Sequence, residues 1–157
     1  MSIQPEDFAR QAIEIAVENV RNGGGPFGAV IVRNGQVVSH GANRVTASND
    51  PTAHAEVQAI RDACRKLNTF ELADCELYTS CEPCPMCLGA IYWARLKAVY
   101  YCSVREDAAA AGFDDSFIYD EVPLNPGARK ITFKNLLRKE GAASFAAWNQ
   151  KSDKIRY

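Results

Sequence analysis

The sequence predicts an α/β protein of three layers, in which helices cover both faces of one mixed central sheet. Two observations carry that expectation. The first is the run GAVIVRNGQVVSHG, two β-rich segments around Asn34-Gly35, a pair suited to the positive φ values of a tight antiparallel hairpin. The second is the succession CELYTS, CPMCLGAIYWARL and KAVYYCSV, which reads strand, helix, strand and so gives β-α-β order.

Taken in order, the chain begins with a packing helix over residues 7–21. Phe8, Ala12, Ile15, Ala16 and Val20 recur there near helical spacing until GGGP ends the pattern. The hairpin strands come next, then the loop ANRVTASND. Asp50 or Thr52 is the expected cap of a second helix, with Pro51 in its first turn and Val57, Ile60, Cys64 and Leu67 on one face. That helix is expected to start around His54-Ala55-Glu56. After the β-α-β unit, EDAAAAG reads as a short helix, FDDSFIYDE as a loop or strand, and EVPLNPGARK as a connection. ITFKNLL then leads to a helical stretch, GAASFAAWNQK. No repeat or low-complexity segment interrupts the chain, so residues 1–157 read as one domain.

Bulk properties narrow the function classes. A chain of 157 residues buries enough surface to fold without a metal or disulfides holding it together. Eighteen basic residues oppose nineteen acidic ones, and no lysine or arginine run marks a phosphate-binding stripe, so nucleic acid is a poor candidate partner. The opening residues, MSIQPEDFAR, lack a basic start followed by an apolar run, and no stretch is apolar enough to span a membrane. The expected location is the cytoplasm. Six cysteines there are expected to be reduced, and three of them sit in CEPCPMC, a metal-binding rather than a disulfide pattern.

Cys84 and Cys87 lie three positions apart at a helix start, where their side chains share a face and converge on one ion. Pro83 and Pro85 suit that placement, and the free N–H groups of a first turn favour thiolate charge. Cys81 forms an overlapping C-x-x-C pair with Cys84. It sits at a strand end, off the helical face, although three cysteines with His54 would make a closed structural zinc site. His54, flanked by small Ala53 and Ala55, is the expected third ligand, and His40 in the hairpin is expected to be structural. Glu56 is two positions from His54, a spacing that points the two to different sides of an ideal helix.

The segments PTAHAE (Pro51 to Glu56) and PCPMC (Pro83 to Cys87) together resemble the cytidine deaminase-like zinc superfamily, in its H-x-E and P-C-x-x-C form. The longer run TSCEPCPMCLGAIYWAR, with AGFDDSF (Ala111 to Phe117), is similar to the bacterial guanine deaminases of that superfamily. The resemblance implies a cytidine deaminase-like sheet with helices on both faces. It implies one Zn2+ per subunit held by His54, Cys84 and Cys87, with Glu56 carrying protons and Asn43 helping to fix a base. The implied reaction, part of purine catabolism, is hydrolysis of guanine to xanthine and ammonia.

A flat purine needs an aromatic face and a few directional polar groups. Phe27, after the glycine run, is a candidate face, and Asp115 a candidate acceptor for guanine N1–H and amino donors. Bacterial guanine deaminases exchange their C-terminal part between subunits. The resemblance therefore implies a homodimer in which residues 122–157 cross to a partner and bring Tyr157 to its pocket. Three readings compete with this one: a transfer-RNA adenosine deaminase, a deaminase of another nucleobase or nucleoside, and a zinc-stabilised interaction protein without chemistry.

Overall fold

The computed structural model describes residues 4–157. By contacts it divides into two compact units, one ending at Asp115 and one formed by Ser116–Tyr157.

In the first unit, helix α1 (Pro5–Arg21) starts two residues before the expected boundary at residue 7. Gln4 N–H donates to Asp7 Oδ2 at 2.9 Å, and Pro5 costs nothing where an N–H has no partner. Phe8, Ala12 and Ala16, spaced by four, form its buried stripe. Strands β1 (Gly28–Arg33) and β2 (Gln36–Ala42) form the expected hairpin, and Asn34 and Gly35 between them have φ of 51° and 73°. Strand β3 (Cys75–Cys81) pairs antiparallel with β1, and β4 (Ala98–Ser103) pairs parallel with β3. The sheet order is β2-β1-β3-β4, a mixed sheet as expected.

The pleat sorts the two faces. Val30, Val32 and Tyr78 meet Phe8 and Ala12 of α1. Ala29, Ile31 and Leu77 point the other way, onto helices α3 (Ala55–Leu67) and α4 (Pro85–Trp93). This completes the three layers. Burying a side chain the size of Leu77 contributes about 1.5–3 kcal/mol, and Leu77 is fully buried. The approach of α3 is unusually close: a Cβ on Gly41 of β2 would overlap the carbonyl oxygen of Ala55, so only glycine lets that helix start sit against the sheet. Since α3 begins at the metal motif, this packing fixes the site's depth.

Three expectations need correction. The cap of α3 is His54, not Asp50 or Thr52. Asp50 instead closes a turn, its Oδ1 accepting from Thr52 N–H at 2.8 Å and from Thr52 Oγ1–H at 2.6 Å, which leaves Pro51 outside the helix. The loop before it carries a one-turn helix, α2 (Val45–Ser48). Finally, after the short helix α5 (Arg105–Ala110), the stretch read as loop or strand holds helix α6 (Ser116–Glu121).

The second unit consists of α6, a 3-10 turn (Pro126–Ala128) and helix α7 (Arg138–Gln150). None of its helices buries a residue, and Leu136, Leu137, Phe145 and Ile155 are largely exposed. Among the described residues no helix is long and apolar enough to cross a membrane.

Candidate active site

Two helix starts converge at the metal motif. His54 caps α3 with extended backbone, φ −69° and ψ 155°, and Cys84 caps α4 in the same way, φ −68° and ψ 169°. The extended backbone removes the difficulty of the H-x-E spacing. His54 is not yet helical, so its imidazole and the Glu56 carboxylate face the same place although two positions separate them. Cys87 follows in the first turn of α4 and is fully buried.

His54 Nδ1 lies 3.5 Å from Cys84 Sγ and 3.5 Å from Cys87 Sγ. All three donor atoms fall within 4.8 Å of one another. Zinc bonds to sulfur and nitrogen at tetrahedral angles put such donors about 3.6 Å apart, so the residues fit the ion as they stand. Two thiolates and an imidazole also match its charge and softness, and three protein ligands leave the fourth place open, as in catalytic sites. Cys81 is not in this group. Its Sγ faces the Val104 carbonyl at 3.8 Å, and burial foremost pushes its thiol up to about 11, so it behaves as a core residue.

The electrostatics follow from the crowding. The Cys84 thiol is pulled down to about 4, chiefly by the hydrogen bond it receives from Cys87, then by His54. Cys87 is pushed up because it gives that hydrogen bond and is buried. In the metal-free chain the pair thus holds one charge on Cys84, stabilised by the first turn of α4. His54 is raised by its hydrogen bond to Cys84.

Glu56 is 5% exposed, and burial raises its carboxyl above the ordinary range. Both of its oxygens are held. Thr79 Oγ1 lies 3.3 Å from Oε1, and Cys87 Sγ lies 3.3 Å from Oε2. A buried carboxyl within reach of a metal group, with a raised pKa, is equipped to take and return a proton.

The remaining expected residues occupy the same unit, apart from Tyr157. Phe27 is half-buried just before β1, and its ring meets Phe113 edge-on at 5.0 Å and 87°. Asn43, just after β2, is nearly buried and donates its N–H to Phe27 O at 3.1 Å. Arg44 N–H donates to Ala53 O at 2.8 Å, which ties this segment to the residue before His54. Asp115 pairs with Arg105, Nε to Oδ1 3.3 Å, so its carboxylate already has one cationic neighbour. Tyr157 is the exposed last residue of the second unit. His40 is exposed on β2, outside the metal group.

Sequence reasoning missed Thr79, Phe113, Arg105 and Asn19. Only Thr79 carried a signal: with Ser80 it is a polar pair inside a strand whose neighbours are apolar, where a hydroxyl needs a partner.

A sheet covered by helices, with a His/Cys/Cys group beside a buried carboxyl, is the arrangement of the zinc-dependent deaminases, in which the carboxyl moves protons. Residues 2–103 match the cytidine and deoxycytidylate deaminase zinc-binding region, and the chain belongs to that family.

Among characterised proteins, guanine deaminase of Bacillus subtilis (strain 168) is 56% identical over 153 residues, spanning 97% of this chain and 98% of its own. A tRNA-specific adenosine deaminase of Aquifex aeolicus is 41% identical over 121 residues, 76% of this chain and 79% of its own. The crystal structure of the Bacillus subtilis guanine deaminase superposes with a TM-score of 0.97 at 54% identity, covering 99% of both chains. That of guanine deaminase from Nitrosomonas europaea superposes at 0.69 and 32% identity, over 93% of this chain and 85% of its own.

Proposed function

We propose that the chain is a guanine deaminase, converting guanine and water to xanthine and ammonia with one zinc ion per subunit. The observation that carries this reading is the extent of the likeness. The Bacillus subtilis guanine deaminase matches this chain from end to end, its C-terminal unit included, whereas the Aquifex aeolicus transfer-RNA enzyme matches only 76% of it.

His54, Cys84 and Cys87 would hold the ion. When bound, zinc supplies the Lewis acidity that makes water nucleophilic near neutral pH. Glu56 does the proton work: it accepts a proton from the attacking water, delivers it to ring N3, and then moves the proton of the new C2 hydroxyl to the 2-amino group, so that the C2–N bond breaks, ammonia departs and a carbonyl forms. Thr79 keeps the carboxylate aimed during these transfers. Phe27 offers its ring to the purine, Asn43 and Asp115 offer polar groups to its edges, and Arg105 holds Asp115 in place.

The exposed apolar side chains of the second unit support a homodimer in which residues 122–157 dock on a partner subunit, because leucines and aromatics in such number need cover. Tyr157 then closes the partner's pocket. The free thiols Cys64, Cys75, Cys81 and Cys102 accord with a reducing, cytoplasmic setting, and the near-neutral charge with a small substrate rather than nucleic acid.

The deciding experiment is ammonia release from guanine, adenine, cytosine and an adenosine-containing RNA hairpin, compared as kcat/KM. Guanine is expected to lead. A higher value for the hairpin overturns the reading in favour of a transfer-RNA enzyme, and no release from any of the four, with zinc bound, favours a protein without chemistry.

A further inference from the structure

Asn19 lies in the last turn of α1, a helix with no part in the metal group. Its side-chain amide donates both protons away from the helix. Nδ2 is 2.8 Å from the carbonyl oxygen of Gly25 and 2.9 Å from that of Asn43. The Gly25 carbonyl also accepts the Phe27 N–H at 2.9 Å, and the Phe27 carbonyl accepts the Asn43 N–H at 3.1 Å. A closed ring of hydrogen bonds results, running Asn19, Gly25, Phe27, Asn43 and back to Asn19. Asn19 is its sole side-chain member.

The glycines around the ring are fitted to it. A Cβ on Gly24 would overlap the Asn19 amide, and one on Gly25 would sit 3.2 Å from both Asn43 Cγ and Asn43 Oδ1. Asn43 Oδ1 accepts from Val45 N–H at 3.3 Å, which turns the amide so that Nδ2 is left for another acceptor. The side chains nearest to asparagine in size or chemistry do not substitute for Asn19. Aspartate has no proton to give and would set its charge against two carbonyls, leucine has the size without the donors, and glutamine is one methylene too long for a space closed by Gly24.

We infer that Asn19 is a positioning residue for base recognition, whose amide sets the placement of the Phe27 ring and the Asn43 side chain. The inference rests on the reading that these two residues hold the substrate. Asn19 acts on ground-state placement, so its effect falls on KM more than on kcat.

The test uses Asn19→Leu and Asn19→Asp in the full chain, with zinc content and steady-state kinetics measured together. Both variants are expected to retain one zinc per subunit, to raise KM on the order of ten-fold, and to change kcat by no more than about three-fold. In an Asn43→Ala background, Asn19→Leu is expected to cost less than it does in the wild type, because the part of its effect that passes through Asn43 is already lost and only the part through Phe27 remains. Gly25→Ala, which crowds Asn43 while leaving Asn19 intact, is expected to give the same KM signature and stands in if the Asn19 variants fail to fold. An unchanged KM in the folded variants, or an equal cost with and without Asn43, overturns the inference. Wild-type turnover of guanine decides the activity reading separately, and the variants are compared on whichever base the wild type turns over best. Amide hydrogen exchange at Phe27 and Asn43 gives a readout independent of turnover: it is expected to rise in Asn19→Leu, and unchanged protection there overturns the clamp.

Discussion

Thr79 Oγ1 lies 3.3 Å from Glu56 Oε1 and 3.4 Å from the Gly28 carbonyl, so a single hydroxyl proton is shared between a backbone acceptor and a buried carboxyl. The other oxygen of Glu56 lies 3.3 Å from Cys87 Sγ, whose single thiol proton is shared between it and Cys84. A thiolate has no proton to donate, so once Cys87 is ionised as a ligand, Thr79 is the side-chain donor that remains to Glu56 among the described residues.

Thr79→Val keeps the branched shape that a buried strand position needs and removes only the donor. Loss of a hydrogen bond to a charged group costs about 1.5–3 kcal/mol, so kcat is expected to fall about 10- to 100-fold with zinc content unchanged. Thr79→Ser is expected to recover most of that loss. Normal kcat in Thr79→Val would show that Glu56 is held without it.

Glu56→Gln preserves size and most of the contacts but ends proton transfer. Turnover is expected to drop on the order of 10² to 10⁴ while metal analysis still finds one zinc per subunit. Ammonia release near the wild-type rate would remove Glu56 from the chemistry.

How much of this was legible in the sequence depends on how local each feature is. The hairpin was, because Asn34-Gly35 dictates its own backbone, and both residues have the expected positive φ. The H-x-E and P-C-x-x-C segments were also legible. Yet the H-x-E spacing looked unfavourable until the backbone showed His54 extended rather than helical. Asp50-Pro51-Thr52 satisfies the grammar of a helix start, but the chain spends Asp50 on a turn and begins the helix later. The six residues of α6 are too few for a period to declare itself, so the stretch reads as loop or strand from its sequence. Asn19 was invisible, and Thr79 showed only that a buried hydroxyl needs a partner, for a different reason: Asn43 and Glu56, which they reach, are 24 and 23 residues away in sequence, and only packing brings them together.

The three cysteines of CEPCPMC are expected to separate cleanly. Cys84→Ala and Cys87→Ala each remove one of three ligands and are expected to lose zinc, whereas Cys81→Ala is expected to keep it, because Cys81 faces the Val104 carbonyl instead of the group. Zinc stoichiometry after extensive dialysis checks this. Loss of the metal from Cys81→Ala alone would mean that the ion is held by a different pair.

Phe145 is 73% exposed and Leu136 78% exposed, on the C-terminal unit, whose helices bury nothing. Exposed apolar surface of this kind marks an interaction site, and exchange between two identical chains is one symmetric way to cover it. If residues 122–157 dock on a partner and Tyr157 closes the partner's pocket, a chain shortened to end at Ser152 is expected to keep its zinc and to lose most guanine turnover. Glu56→Gln in the full-length chain is inactive for a separate reason. Mixing the two under conditions that let subunits exchange is expected to restore part of the activity, since one pocket in each mixed dimer then combines an intact Glu56 with an intact tail from the other chain. Light scattering and mass analysis establish that mixed dimers have formed. Mixed dimers without restored ammonia release, or a shortened chain that works normally by itself, would show that the tail serves no neighbouring pocket.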